Sequence, residues 1–509
     1  MHSFYSKIRN NTFIVKRIVI FSHSNIYSIG NCIEHSEAIV KLYDLIYNTL
    51  QWRNSMLISF SVANFLSFKE KQTVSLSAGL VRRKSERLYK DKTGNRLVKF
   101  TALFGANASG KSNFVEAIGF SRLFILRGFP AESTKMYCRI DDDYRTKNTL
   151  FVYELLVDNR MFKYSIECNL EQRKLEKELL IEIIKGEEKI VFSRDLASQT
   201  YNIQKFKDHQ LNAKLEIYAS DIKEEKEILF LSVLNQNKSS LYTEHVEASL
   251  FKSIYSWFEN QLSVIFPNRM ISPYSYFLST ENREIISKIL QAYDTGITKY
   301  SIVDNTKEML KAQIPEDMYK SIVTDLLKMK ESKKENAPSI ILRGPKEFFI
   351  LKLDTDDNLV SETLQFSHKA SSSLFGINEE SDGTTRLMDL MTVLLDRRNE
   401  AVYVIDEIDR CLHPQLTTRF VMDFLYLANR RNIQLIVTTH ESALLDFEIL
   451  RKDEIWFVNK DEGNSQLYPL EVFSERFDKK IEYAYKNGEY KAKPNFENIY
   501  PLLDSFLDS

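Results

Sequence analysis

Glycine and proline are scarce in this chain, at 14 and 10 among 509 residues, against usual shares of about 7% and 5%. No low-complexity linker or internal repeat is visible. Cysteine is scarcer still: Cys32, Cys138, Cys168 and Cys411 are scattered with no CxxC pair, which argues against a zinc knuckle or a disulfide framework and fits a reducing cytoplasm. Long apolar runs are absent. The best, "FIVKRIVIF", is broken by charge and falls far short of the ~20 residues that span a bilayer, so no membrane span is expected; a signal-peptide pattern is not found either. Neither sign of charge dominates, with Lys+Arg at 69 and Asp+Glu at 70. No global field recruits nucleic acid, and any such binding must come from a local patch. What remains is a hydrophobic content of 43%, enough for a large core in a soluble chain of two or three domains.

Residues 1–55 show no sustained helical or strand period and read as an N-terminal extension, with Met56 a candidate start; an ordinary N-terminal subdomain is the other reading. From Met56, "MLISFSVANFLSFKEKQTVSLSAG" gives two strands around a turn. "TLFVYELLVDNRMFKYSIECNL" reads as a β-hairpin about Asp-Asn, and "KLEKELLIEI" and "EKIVFSRD" continue as strands. Together 56–195 form one lobe. Residues 196–345 turn charge-rich and helical, an insert or arm. Residues 346–470 alternate helices with short apolar strands, which implies a parallel sheet, and end on the hairpin "DEIWFVNKDEGNSQLYPL". Residues 471–509 are a charged tail. The predicted fold class is α/β with an antiparallel β subdomain and a helical insert.

Two of the few glycines fall within eight residues. Gly105, Ala106, Asn107, Ala108, Ser109, Gly110, Lys111 and Ser112 satisfy GxxxxGK[ST] between the apolar strand "FTALFG" and an amphipathic helix. In that context backbone N–H groups and the helix N-terminus cradle phosphate, Lys111 reaches the β/γ-phosphates of ATP, and Ser112 ligates Mg²⁺. A second carboxylate site is needed, and "AVYVIDEID" supplies it at a strand end. Asp406 suits the Mg²⁺ shell, and Glu407 suits a general base that polarises the attacking water. Asp409 reads as a helix cap or surface residue. His440 ends another apolar strand, "LIVTTHESA", on the sheet edge where open α/β sheets bind ligands.

GANASGKS, "SDGTT", "VYVIDEID", "LHP" and "TTH", in that order, resemble the ABC-type ATPase heads of the SMC, Rad50 and RecF group, and above all the bacterial AAA family ATPases labelled AAA_15 or AAA_21. The resemblance covers most of 56–490 and is weakest in the middle arm. It implies a P-loop head that closes on ATP as a head-to-tail dimer or higher assembly. Ser381, Gly383 and Thr384 match signature positions that would touch the γ-phosphate of a second copy's nucleotide. Asp382 replaces the first glycine of that signature and Thr384 its glutamine. His413-Pro414 matches a turn at the dimer junction. Gln172 cannot be aligned with the family's glutamine loop. By analogy with SMC heads, Arg82 or Arg83 would reach the α-phosphate; a solvated basic loop is the alternative.

The family includes ATPases of phage-defence pairs, among them RloA-like proteins, the first AbiL protein and the PARIS ATPase. Such proteins gate a separate effector, often a TOPRIM-type nuclease, so gating of a partner in abortive infection is one expectation. A RecF- or Rad50-like DNA-binding repair ATPase is the alternative, resting on the basic segment Arg82, Arg83, Lys84, Arg87, Lys90, Lys92, Arg96 and Lys99. A self-contained OLD-type nuclease fits less well: the ~70 residues after His440 are too few for a further domain, and "DTDD" at 354–357 lies before the signature.

Overall fold

The computed structural model describes residues 55–91, 94–267, 275–278, 282–305, 316–332, 339–344, 347–369, 371–473, 480–492 and 498–507. The expectations for residues 1–54 and for Lys92 lie outside them.

Short β-branched and aromatic runs build a six-stranded central sheet, in the order Leu262–Ile265, Val402–Ile405, Gln434–Thr439, Phe100–Phe104, Ile455–Asp461 and Asn464–Pro469. The first five are mutually parallel, and the last closes the predicted hairpin antiparallel. We label Phe100–Phe104 β1, Val402–Ile405 β2 and Gln434–Thr439 β3. Their side chains alternate between two cores. Leu103, Val402, Val404 and Ile436 join one, while Phe100, Ala102, Tyr403, Ile405, Leu435 and Val437 join the other. A strand buried on both faces has no polar side, which is why these segments read as continuous apolar runs.

Three helices flank this sheet: α1 (Lys111–Arg127), α2 (Asp382–Leu395) and α3 (Pro414–Ala428). On one side, α1 lies between the central sheet and a seven-stranded antiparallel sheet. In that sheet the hairpin Thr149–Val157 and Arg160–Asn169 turns on Asp158 and Asn159, both left-handed at φ 52° and 62°, as a two-residue hairpin turn requires. Phe60, Phe114 and Tyr153 meet in this core, with ring centroids 4.7 to 5.5 Å apart. The buried Glu178 carboxylate ties sheet to helices, accepting from the Tyr164 hydroxyl at 2.7 Å and from the N–H groups of Phe230 and Leu231 at 2.6 and 3.1 Å. On the other side, α2 and α3 cover the second core.

The stretch 196–345 departs from the predicted helical insert. Helices do occupy His209–Asp221 and Ser249–Ser256. Leu262–Ile265, however, is the edge strand of the central sheet, pairing with β2. Ile297–Asn305 and Ser339–Gly344 belong to a five-stranded antiparallel sheet with Glu347–Leu353, Leu359–His368 and Leu374–Gly376. Leu262–Ile265 and Ile297–Asn305 have partners far along the chain, at 402–405 and 361–368, and Ser339–Gly344 forms a local hairpin with Glu347–Leu353 in a charge-rich stretch, so the helical reading missed them.

Candidate nucleotide site

Parallel register brings the predicted residues to one edge. Phe104 pairs with Thr439 and Ile405 with Val437, so the segments starting at Gly105, Asp406 and His440 leave the sheet side by side, at the carboxyl ends where open α/β sheets bind ligands.

The loop Gly105–Ser112 is held from behind. A Cβ on Gly105 would lie 2.4 Å from the Val458 carbonyl, and one on Gly110, at φ 109°, would lie 2.2 Å from Ser465 Oγ. No other residue type fits these two positions. Ser465 Oγ bonds the Ser109 carbonyl at 2.6 Å and lies 2.7 Å from Ser67 Oγ, which in turn accepts from Asn113 at 2.7 Å. Ala108 is left-handed at φ 61°. Asn107, Ala108 and Ser112 are exposed on the open face. The buried Ser109 hydroxyl has no hydrogen-bond partner.

Lys111 is buried beneath the loop and donates to the carbonyls of Gly105 and Ala106 at 2.8 and 2.9 Å. Burial pulls its pKa down to about 8, against the upward pull of the Asp406, Asp409 and Glu407 carboxylates. An ammonium so desolvated favours an anion close by. Across the edge, Ser112 Oγ donates to Asp406 Oδ1 at 3.1 Å, and Thr438 Oγ1 donates to the same oxygen at 2.5 Å.

The Ser112 and Asp406 pair provides the fit test for Mg²⁺. Octahedral bonds of about 2.1 Å put neighbouring ligand oxygens about 3 Å apart, close to the spacing these two already hold. Among the described residues no group of three or more His, Cys, Asp or Glu side chains forms a metal cage. Mg²⁺ in phosphate sites needs none, because it keeps waters and takes phosphate oxygens. The residues present therefore suit Mg²⁺ carried by a nucleotide.

Glu407 is half-buried and left-handed at φ 47°, a conformation that costs a residue with a Cβ roughly 1–2 kcal/mol. Such backbone persists where neighbours over-determine it. Here its N–H donates to Thr438 Oγ1 at 2.8 Å, and Arg386 on α2 donates to its carbonyl at 2.9 Å. His440 lies on the exposed rim, and its N–H donates to the Asp409 carboxylate at 3.2 Å. Surrounding protein, and then Lys111, lower the His440 pKa against the pull of the nearby carboxylates, which favours the neutral imidazole.

Asp409 thus has a task beyond the expected cap or surface position, since it ties the His440 segment to the Glu407 turn. Thr438, Arg386, Ser465 and Ser67 were not singled out in the sequence. The sequence carries a signal for two of them, the first threonine of "TTH" and the arginine of "GTTRL", and none for Ser465 or Ser67.

Ser381 and Thr384 stand at the start of α2, away from the cradle's own bonds. Ser381 Oγ accepts the Thr384 N–H at 3.1 Å, and Ser381 and Asp382 are exposed. Gly383 backs onto the Glu407 side, where a Cβ would lie 2.8 Å from the Cys411 carbonyl. His413 caps α3, accepting the Gln415 N–H at 3.2 Å. Gln172 lies in a turn of the antiparallel sheet, its N–H donating to Asn169 at 2.8 Å.

The basic segment is largely spent on structure. Arg83 pairs with Glu448, Lys84 donates to the Phe447 carbonyl, and Arg87 donates to the Ile449 carbonyl at 2.6 Å. Lys99 is buried on the carbonyls of Ala428 and Arg431, at 2.7 and 3.0 Å. Arg82, Lys90 and Arg96 are the exposed cations among its described residues. Among the described residues of the segment, Arg83, Lys84, Arg87 and Lys99 are thus engaged within the fold. "DTDD" is a hairpin turn in which Asp354 accepts the N–H groups of Asp356 and Asn358 at 2.9 Å. No helix among the described residues is long and apolar enough to cross a membrane.

Comparison with known proteins adds a family. Residues 312–446 match the model AAA_21, described as "AAA domain, putative AbiEii toxin, Type IV TA system". That span holds Ser381–Thr384, Asp406, Glu407 and His440, and leaves the loop at 105–112 outside. No curated protein matches the chain. Among solved structures, the SMC head domain from Thermotoga maritima is similar at 12% identity over 81% of this chain and 98% of that one, with a TM-score of 0.32. An SMC head bound to the C-terminal winged-helix domain of ScpA is similar at 14% identity, over 81% and 97%, with a TM-score of 0.35. The chain thus carries an AAA_21-type segment over 312–446, and β1 and β3 set the phosphate loop beside the acid pair and histidine of that segment.

Proposed function

We propose that this protein binds and hydrolyses ATP as a nucleotide-dependent, head-to-tail dimer, and that this cycle gates a partner protein. The observation that carries the proposal is the convergence of the Gly105–Ser112 loop, the Ser112 and Asp406 oxygen pair, Glu407 and His440 at the ends of three adjacent parallel strands.

The loop's N–H groups and the α1 terminus receive the phosphates. Lys111 exchanges its two carbonyl partners for β/γ-phosphate oxygens. Ser112 and Asp406 would hold Mg²⁺, which when bound would supply positive charge against the phosphates. Glu407 accepts a proton from the attacking water as general base. His440, neutral and on the rim, donates or accepts a hydrogen bond at the γ-phosphate. Ser381, Gly383 and Thr384 of a second copy would complete the site, because the α2 terminus that carries them is exposed.

Gating of a separate effector, such as a TOPRIM-type nuclease in phage defence, is supported by the AAA_21 description and by the resemblance to defence ATPases. The setting proposed is the cytoplasm. The test is Glu407→Gln with Mg-ATP under light scattering. Accumulation of a dimer that the parent forms only transiently supports the reading, and turnover equal to the parent's sinks it. Co-purification of one stoichiometric partner from the native host tests the gating, and recovery of DNA instead would favour the repair reading.

A further inference from the structure

Arg386 lies on α2, five residues beyond Ser381, and is 7% exposed. Its Nη2 donates to two successive carbonyls, those of Asp406 at 3.2 Å and Glu407 at 2.9 Å. Successive carbonyls point to opposite sides of a regular strand, so one nitrogen reaches both only where the backbone turns. Here the turn is the left-handed Glu407. Thr438 braces it from β3, through the Glu407 N–H at 2.8 Å and Asp406 Oδ1 at 2.5 Å.

The arginine is an expensive filler for this gap. Burial disfavours its charge, the Asp389 carboxylate offsets part of that, and its Nε has no hydrogen-bond partner. An apolar side chain of similar volume would pack there without the desolvation cost. The α2 terminus also meets the turn a second time, at Gly383 against Cys411. The exposed end of α2 and the turn that aims Glu407 are therefore one braced unit within a single chain.

We infer that Arg386 is a positioning residue for hydrolysis: it holds the Asp406 to Glu407 peptide of its own chain so that the Glu407 carboxylate faces the attacking water, and it does so from the helix whose free end meets a second chain's nucleotide. This rests on Glu407 as the general base. Arg386 touches neither nucleotide nor water.

The first measurement is Arg386→Met against the parent. Turnover should fall about tenfold or more while affinity for a non-hydrolysable Mg-ATP analogue stays within about twofold, since a misaligned base loses part of its 10²–10⁴ contribution without loss of binding. Loss of thermal stability with unchanged turnover per folded chain would overturn the inference. Arg386→Lys, which keeps a donor for the carbonyls, should recover part of the lost turnover; no recovery relative to Met would count against it. If the Met variant does not fold, Lys and Gln variants take its place in every arm.

The second measurement asks which chain's base is served, using mixed dimers made from two differently tagged chains. The reference is a wild-type chain paired with Glu407→Gln. When Arg386→Met is placed in the partner of the Glu407→Gln chain, the only working base loses its brace, and activity should fall about tenfold below the reference. When both substitutions share one chain, the working base keeps its brace, and activity should stay within about twofold of the reference. The reverse pattern would make Arg386 part of the contact to the other chain's nucleotide and overturn the inference. Parent-like turnover by Glu407→Gln itself would instead sink the assignment of the base, so the two failures are distinguishable.

Discussion

The two helix N-termini proposed to face phosphate, those of α1 and α2, are finished differently. At α1 the preceding residue is Gly110, with no side-chain cap, and the lysine that comes next is desolvated and bonded only to carbonyls of its own loop. At α2, Ser381 caps the helix with its own hydroxyl and the terminus is exposed. An uncapped terminus leaves its first N–H groups open to water or to a ligand, and at α1 they stand beside the desolvated Lys111. At α2 the Ser381 cap satisfies one of those N–H groups, that of Thr384. In the proposed dimer the α2 end would add a contact to a phosphate that the other chain already holds. This asymmetry suits a site in which one chain binds nucleotide firmly and the other chain's α2 registers that it is there.

The largest effect expected is on chemistry. Glu407→Gln should lower turnover by about 10²–10⁴ while nucleotide binding persists, as read by phosphate release beside equilibrium binding. Lys111→Ala strikes the uncapped terminus and should weaken nucleotide binding by about a hundredfold or more, because it removes a charge-assisted contact in a buried setting; calorimetry checks this, and near-parent affinity would mean the cradle does not take phosphate.

A smaller effect, on the capped terminus alone, sharpens the comparison. Ser381→Asp keeps a good helix cap but sets a negative charge against a triphosphate. Turnover and ATP-dependent dimerisation should fall about tenfold, with nucleotide affinity of the single chain unchanged. Loss of single-chain affinity would show instead that α2 serves its own chain's site.

The smallest effect is on pH. Bound phosphate favours the protonated Lys111, whose pKa without nucleotide lies at about 8. Affinity should be flat below that value and fall by up to about tenfold per unit above it, with proton uptake on binding near pH 8–9. The linkage to folding has the opposite slope: the lowered pKa destabilises the fold fully below pH 8, and stability rises as pH climbs from there toward the ordinary lysine value. Lys99, also held at about 8 by burial, adds to the folding term. Only Lys111→Ala should abolish the binding term.

Contiguous features were legible in the sequence. GANASGKS carries its loop, its lysine and its helix start within eight residues, and the hairpins about Asp158 and Glu462 announce themselves by turn residues between alternating runs. Charge counting at 82–99 could not show that Arg83, Lys84, Arg87 and Lys99 engage Glu448 and backbone carbonyls, because only the fold brings these partners near. Leu262–Ile265 was hidden for a related reason. A four-residue strand has too little pattern of its own, and its pairing with Val402–Ile405 decides its conformation.

By itself the sequence determined the phosphate loop, the acid pair at the end of an apolar strand and the histidine at the end of the next, because each is a local pattern with its own chemical logic. The tertiary structure decided how they meet. Ser112 and Asp406 are 294 residues apart and share a hydrogen bond because their strands β1 and β2 both pair in parallel with β3 between them. Glu407 is held in its left-handed conformation by Thr438 at its N–H and by Arg386 at its carbonyl. Side-chain pairing across a sheet and between a helix and a turn leaves no periodic trace in the chain, so the brace that aims the base became visible only once the elements were packed.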